Sequence, residues 1–287
     1  MIPFSSANRR AYLRSLATDW PAHAALIFGC ALIIVPLAWM VLTATKTHED
    51  VFTQAPWWIP DHPNLVQNIK NVFARIDFGR YFFNSLVVCA AITLLDLVFA
   101  TLAGYALAKY RFPGKPIIFA IIIATMMVPF IVLVIPQYLI VRDLGWLDSY
   151  AGLIVPFAIS SFGIFLMRQA LAGTPDELID AARIDGAGEW RILLQIVVPM
   201  HTPALISLGI LRFLSEWDSL LWPLVATNSA TMRTMSLGMA IMQDDRYQTD
   251  LPTLMAAATM ALAPVVIAYS FLQRYFIKSV AGSGLKS

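Results

Sequence analysis

Six stretches of about twenty apolar residues constrain this chain more than any other feature. They lie near 22–43, 83–105, 117–140, 151–171, 203–225 and 254–277. A helix needs about 20 such residues to cross the hydrocarbon core of a bilayer. In that core no water satisfies a backbone N–H or C=O, so a spanning segment must pair its backbone within itself. The expected fold class is therefore all-α: a polytopic membrane protein with six transmembrane helices. The composition agrees, with 59% hydrophobic and 13% charged residues against roughly 25% charged in soluble domains. A net charge of +2 gives no reason to expect a nucleic-acid partner. Cys30 and Cys89 lie inside apolar stretches and read as small core hydrophobes rather than a disulfide. No cleavable signal is evident, and the first apolar stretch reads as a retained anchor.

Positive charge sorts between alternate loops. One side carries Arg9, Arg10, Arg14, Lys109, Arg111, Lys115, Arg168, Arg183, Arg191, Arg274, Lys278 and Lys286. The other carries Lys46, Lys70, Arg75, Arg80, Arg142, Arg233 and Arg246, in longer loops that also hold nine acids. The positive-inside rule then places both termini and the 172–200 loop in the cytoplasm. The expected organisation is a cytoplasmic N-terminus over 1–21 and a single transmembrane domain over 22–287, with an outer loop at 226–252. Trp57 and Trp58 read as interfacial anchors. Pro129 and Pro136 interrupt the third span, which leaves two readings: a broken helix lining a transport cavity, or a kink compensated by its neighbours.

The loop between the fourth and fifth spans is coded for helix. In TPDELIDAARIDGAGEWRILLQIVVPM (174–200), Thr174 suits an N-cap, Pro175 a first helical position, and Glu177, three residues after the threonine, completes a capping box. Asp176 and Glu177 fall in the first turn, where the helix dipole favours negative charge. Leu178, Ala181, Ala182 and Asp185 recur at helical spacing. Ala181, Ala182 and Gly186 form an edge small enough for another backbone to approach, and Gly186 and Gly188 then break the helix.

The pattern Asp180-Ala181-Ala182, three residues, Gly186, nine residues, Ile196 to Pro199 resembles the EAA loop of membrane subunits of binding-protein-dependent ABC importers. Asp180 stands where Glu is usual and Val198 where Leu is usual. Further resemblance to the second permease of maltose-type and glycerol-3-phosphate-type importers is carried by YALAKYRFPGK (105–115), LDSYAGLIVP (147–156) and EWDSLLWPL (216–224). It implies a carbohydrate-uptake permease in a bacterial cytoplasmic membrane. The implied partners are a second permease subunit, two cytoplasmic ATPase subunits that bind ATP and Mg, an external substrate-binding protein and membrane lipid. The implied ATPase-coupling residues are Glu177, Asp180, Ala181, Ala182, Asp185, Gly186 and Pro199. The implied solutes are sugars, sugar-like polyols or glycerol phosphodiesters.

Four ionisable residues fall inside apolar stretches: Asp96, Arg212, Glu216 and Asp218. Charges at that depth are expensive and suggest function. Arg212 and Glu216, four apart, share a helix face, while Asp218 points to a different neighbour. They read either as a self-neutralising pair or as the wall of a water-filled pathway that also includes Asp96, Trp217 and Asp218. Trp217 offers a ring on which a sugar face can stack, whereas Trp222 reads as an interfacial anchor. In related chains the position of Asp218 is commonly Asn. A competing function is ion-coupled secondary transport through Asp96, Glu216 and Asp218, which leaves the helical loop unexplained.

No G-x-x-x-x-G-K-[ST] motif is present. Gly114-Lys115 lacks the upstream glycine and is followed by Pro116, so this chain forms no phosphate cradle of that kind. The histidines at 23, 48, 62 and 201 show no metal spacing. No catalytic residue and no cofactor of this chain's own is expected. In the outer loop, Met232, Met235, Met239 and Met242 follow helical spacing and suggest an adaptable apolar stripe. With Asp244 and Asp245, the last two of these methionines are candidates for contact with the external binding protein, a role the family resemblance implies.

Overall fold

The computed structural model describes residues 20–52, 63–243 and 250–284, and every regular element within them is helical. Trp57, Trp58, Asp244 and Asp245 lie outside the described residues. The chain divides into two compact units, Met1–Val72 with Tyr247–Met260 and Phe73–Arg246 with Ala261–Ser287.

In the first unit α1 (Trp20–Ala44) is apolar around its circumference and leaves Leu26, Ile27, Phe28 and Ile33 exposed. A helix without a polar face is suited to lipid. Cys30 is exposed on this surface, which corrects the expectation of a core cysteine; Cys89 is buried as expected. The short α2 (His48–Phe52) and the amphipathic α3 (Leu65–Arg75) follow. Buried Asn68 on α3 donates to the carbonyls of Ala44 and Lys46, each at 2.8 Å. It thereby satisfies acceptors left open where α1 ends.

The second unit is organised by α4 (Phe78–Lys109), capped by the Asp77 carboxylate accepting from Arg80 N at 3.2 Å. The third apolar stretch is split into α5 (Lys115–Thr125) and α6 (Phe130–Asp143), bent by 101°. The break falls at Pro129, whose backbone is extended and which has no N–H to continue α5. Pro136 stays inside α6. The fourth stretch is α7 (Tyr150–Phe157) and α8 (Ser161–Ala172), bent by 43°. Gly104 lets α4 and α8 touch: a Cβ there would sit 2.8 Å from Arg168 N and Met167 Cβ.

After α9 (Asp176–Ile184) and α10 (Glu189–Met200), the fifth stretch begins as α11 (Thr202–Trp217) and stops at Asp218. The expected span to 225 is thus cut short, and α12 (Leu221–Ala226) is a separate element. In one continuous helix Pro223 could give no N–H to the carbonyl of Ser219. The chain then forms α13 (Met235–Met242) and α14 (Leu251–Gly284). Among the described residues, α1 and α4 are single helices long and apolar enough to cross a bilayer, and α5–α6, α7–α8 and α10–α11 meet that measure when each bent pair is one span. One core of the second unit joins Ala100, Tyr105, Met167, Leu171, Ile179, Ile192 and Leu208. A second joins Ile92, Val141, Leu153 and Trp222.

Candidate functional site

The loop from Thr174 to His201 is built onto the end of α4. Ile179 and Ala182 of α9 are buried in the core that α4, α8 and α11 share. Asp180, Ala181, Asp185 and Gly186 are exposed, as is Glu177. The small edge is therefore not one surface, because Ala182 faces its own subunit while Ala181 and Gly186 face outward. Ile184 is 88% exposed, an apolar side chain on the open face that helical spacing alone did not single out.

The ends of α9 follow different rules. Its C-terminus is a Schellman turn: Gly186 has φ +82°, Ala187 N donates to Ala182 O at 2.9 Å, and Gly186 N to Arg183 O at 3.0 Å. Its N-terminus departs from the expected capping box. The backbone cap is Pro175, with no side-chain hydrogen bond to it. Thr174 is buried, and its hydroxyl pairs instead with His201 Nε2 at 2.7 Å. A buried hydroxyl needs a partner, and His201 supplies one across the loop.

Lys109, the last residue of α4, closes the N-terminal side. Its ammonium donates to Asp176 Oδ1 at 2.7 Å and to the carbonyls of Thr174 and Ala172. Next to it, Tyr110 OH donates to Glu189 Oε2, and Arg183 Nε donates to Glu189 Oε1 at 2.8 Å. Arg183 also reaches Asp180 at 3.0 Å. The hydrogen bond from Lys109 holds the Asp176 carboxyl below its ordinary pKa. The bond from Arg183, and then that from Tyr110, does the same for Glu189. Burial, followed by the adjacent Glu189, pushes Tyr110 up to about 12. Burial, followed by Lys109, lowers His201. Pro199 is exposed near the end of α10, just after a π-helical turn over Leu193–Val197, and α10 and α11 meet at 79°.

A polar cluster crosses the middle of the second unit. Asp96 on α4 is fully buried and accepts from Ser160 N at 2.6 Å and Ser160 Oγ at 2.7 Å. Arg212 on α11 lies 3.5 Å from Asp96 and 2.9 Å from Glu216, and donates to Phe157 O at 2.7 Å. Asp96 thus caps the start of α8 while Arg212 takes a carbonyl from the end of α7, and together they seal the break in the fourth stretch.

The expected set is not wholly assembled. Asp218 is the exposed residue ending α11 and stands outside the cluster, because the helix stops there. Asp96, Glu216 and Asp218 therefore form no continuous carboxylate relay. Trp217 is buried, stacked on Phe213 at 5.8 Å and edge-on to Phe82 at 5.6 Å. Trp222 is 1% exposed and donates from Nε1 to Gly152 O at 2.9 Å, so it is a core residue and not an interfacial anchor. Among the described residues no three His, Cys, Asp or Glu side chains group to hold a metal.

In the 226–243 region Met232, Met235 and Met242 are buried and Met239 is half-buried. The methionine stripe points inward, correcting the expectation of an outward adaptable face. Gly238 makes this possible, since a Cβ there would collide with the Tyr81 ring on α4.

Residues 97–282 match the family model for the binding-protein-dependent transport system inner membrane component. The chain belongs to this family of transport-system membrane components. It is 37% identical over 209 residues to the arabinooligosaccharides transport system permease protein AraQ of Bacillus subtilis, covering 73% of this chain and 74% of that one. It is 34% identical over 268 residues to the sn-glycerol-3-phosphate transport system permease protein UgpE of Yersinia enterocolitica, covering 91% and 95%. A crystal structure of a bacterial ABC transporter involved in the import of the acidic polysaccharide alginate superposes with TM-score 0.79 at 24% identity, covering 96% of this chain and 100% of that one. That likeness shows the fold. Both of these relatives are named as permease proteins of transport systems. Lys109 and Tyr110, which brace the loop together with Glu189, lie outside the EAA-like pattern; the sequence signals for Lys109 were its positive charge on the cytoplasmic side of the count and its place in YALAKYRFPGK.

Proposed function

We propose that this chain is one permease subunit of an ATP-driven importer of a sugar or sugar-like solute in a bacterial cytoplasmic membrane. In this reading it crosses the bilayer six times, with both termini and α9 on the cytoplasmic side. α9 is the coupling helix, which docks on an ATPase subunit. A second permease, two ATPase subunits that bind ATP and Mg, and an external binding protein complete the complex. The observation that carries the reading is the build of α9. Its inner face, through Ile179 and Ala182, is embedded in the bundle core, and its outer face presents Ala181, Ile184 and Gly186 to a partner. A helix held this way passes on a push instead of yielding to it. The names of the relatives support arabinose-containing oligosaccharides and glycerol 3-phosphate compounds as the solute classes to try first.

The test is purification of the intact complex from native membranes, followed by ATP hydrolysis assays with binding protein and candidate solutes. Co-purified ATPase subunits and hydrolysis stimulated by a sugar or glycerol phosphate support the reading. A chain that purifies with no ATPase subunit and moves solute along an ion gradient overturns it.

A further inference from the structure

Opposite ends of one helix hold two segments of the second unit: the α9 loop, to which the proposed function gives the ATPase contact, and the 226–243 region, which the six-span reading places on the external side. At the Lys109 end, α4 grips Asp176 and the carbonyls of Thr174 and Ala172, and Tyr110 beside it grips Glu189. At the other end the fully buried Asn84 uses both amide hydrogens on the 226–243 region, donating to Thr231 O at 2.9 Å and Arg233 O at 2.8 Å. Its amide oxygen accepts from Tyr150 OH at 2.6 Å, so the side chain is locked. One turn earlier Arg80 Nε reaches Thr231 O at 3.1 Å, and next to Asn84 the Ser85 hydroxyl accepts from Met235 N at 2.7 Å, the first backbone donor of α13.

Among the described residues, the two single helices long and apolar enough to span are α1, which contains Pro36, and α4, which contains no proline. Asn84 and Lys109 lie 25 residues apart on it, or about 38 Å along the axis at about 1.5 Å per residue. Between these ends the Asp96–Arg212 pair ties α4 to α11. A continuous helix resists axial compression because every turn is hydrogen-bonded to the next. Displacement of the loop at one end therefore reaches the other end without loss in a hinge.

We propose that α4 is the strut that transmits state between the ATPase-facing loop and the external 226–243 region, with Lys109 and Asn84 as the positioning residues at its two ends. This rests on the proposed importer function. Neither residue touches solute or ATP; each acts through the loop it holds.

The test uses the intact complex in proteoliposomes with binding protein, comparing wild type, Lys109→Met, Lys109→Arg, Asn84→Leu and the Lys109→Met/Asn84→Leu double variant. The readouts are ATPase subunits retained, stimulation of hydrolysis by loaded binding protein, and solute moved per ATP hydrolysed. Distant sites with no shared partner add in free energy, so independent losses multiply. A shared strut predicts otherwise. Each single variant is expected to retain its ATPase subunits and lose stimulation by about tenfold, the double variant to lose no more than the worse single, and Lys109→Arg to recover most of the loss. Where Asn84→Leu fails to assemble, Arg80→Ala, at an exposed side chain bonded to the same Thr231 carbonyl, takes its place. Wild-type stimulation in Lys109→Met, or losses that multiply in the double variant, overturn the strut. A wild-type complex with no stimulation by any binding protein overturns the importer reading instead.

Discussion

The hydroxyl of Thr174 lies 2.7 Å from Nε2 of His201, and this contact ties the start of α9 to the bend between α10 and α11. It is expected to make the loop sensitive to pH. His201 has a folded pKa held below its ordinary value by burial and then by Lys109. A depressed pKa means that the folded loop prefers neutral imidazole. Its stabilising contribution is complete above the unfolded value of about 6.5 and is lost as pH falls from there through the folded value. Hydrogen-exchange protection across 174–187 should fall as pH is lowered from about 7.5 to about 5.5, and His201→Gln should remove that dependence. Asp176 and Glu189, also depressed, lose their contributions only in the more acidic carboxylate range.

Arg212 neutralises two carboxylates and also bonds Phe157 O. Arg212→Met leaves buried Asp96 and Glu216 without a cation, a change that typically costs about 3–5 kcal/mol. The variant should lose heat resistance in detergent, read as the fraction of complex surviving a temperature series. Arg212→Lys should recover only part of it, because one ammonium cannot reproduce a three-way guanidinium contact. Full heat resistance in Arg212→Met would show the cluster to be energetically idle.

Ala181 and Ala182 are adjacent in sequence, but Ala181 is exposed and Ala182 is buried. Ala182→Trp should overpack the bundle core and lower the amount of folded subunit in the membrane. Ala181→Trp, on the exposed face, should leave that amount unchanged and prevent retention of the ATPase subunits. Quantitative immunoblotting of membranes, with pull-down of the ATPase, separates the two. Equal behaviour of the pair would mean that α9 does not present the face described above.

Gly186 has positive φ but open space around its α-carbon. Gly186→Ala should therefore act through backbone strain of about 1–2 kcal/mol, and Gly186→Asn, which tolerates that conformation, should be milder. Transport rates in vesicles should follow the order Gly, Asn, Ala. An alanine variant as active as the parent would show that the turn relaxes without cost.

Cysteine labels at Gly188 and Asn228, both exposed, should react from opposite sides of the membrane. Cys30 is exposed and has to be replaced first, whereas Cys89 is buried. Reaction of both labels from one side would exclude the six-span arrangement.

Local rules made much of this protein legible from sequence. Apolar length implied helices because lipid leaves a backbone no other partner, and Gly186 ended α9 because its backbone must turn left-handed. Pro129 and Pro136 marked the third stretch as interrupted because proline lacks an N–H, and the fold put the break at Pro129 while keeping Pro136 inside α6. The pairing of Arg212 with Glu216 followed from helical spacing. Each of these is decided within a few residues of chain.

Tertiary structure decided which way each side chain faces. Lipid tails are as apolar as leucine, so periodicity in a membrane helix cannot distinguish a lipid face from a protein face. For that reason Trp222 turned inward against expectation, while Cys30 turned outward. Outside the apolar stretches the methionines at 232, 235 and 242 also turned inward, where Gly238 lets α13 lie against Tyr81. Thr174 had a helix cap within reach, but folding brought His201 to it from 27 residues away and the buried hydroxyl bonded there. Lys109 and Asn84 gained their meaning in the same way, since only the folded bundle brings their loops to the two ends of α4.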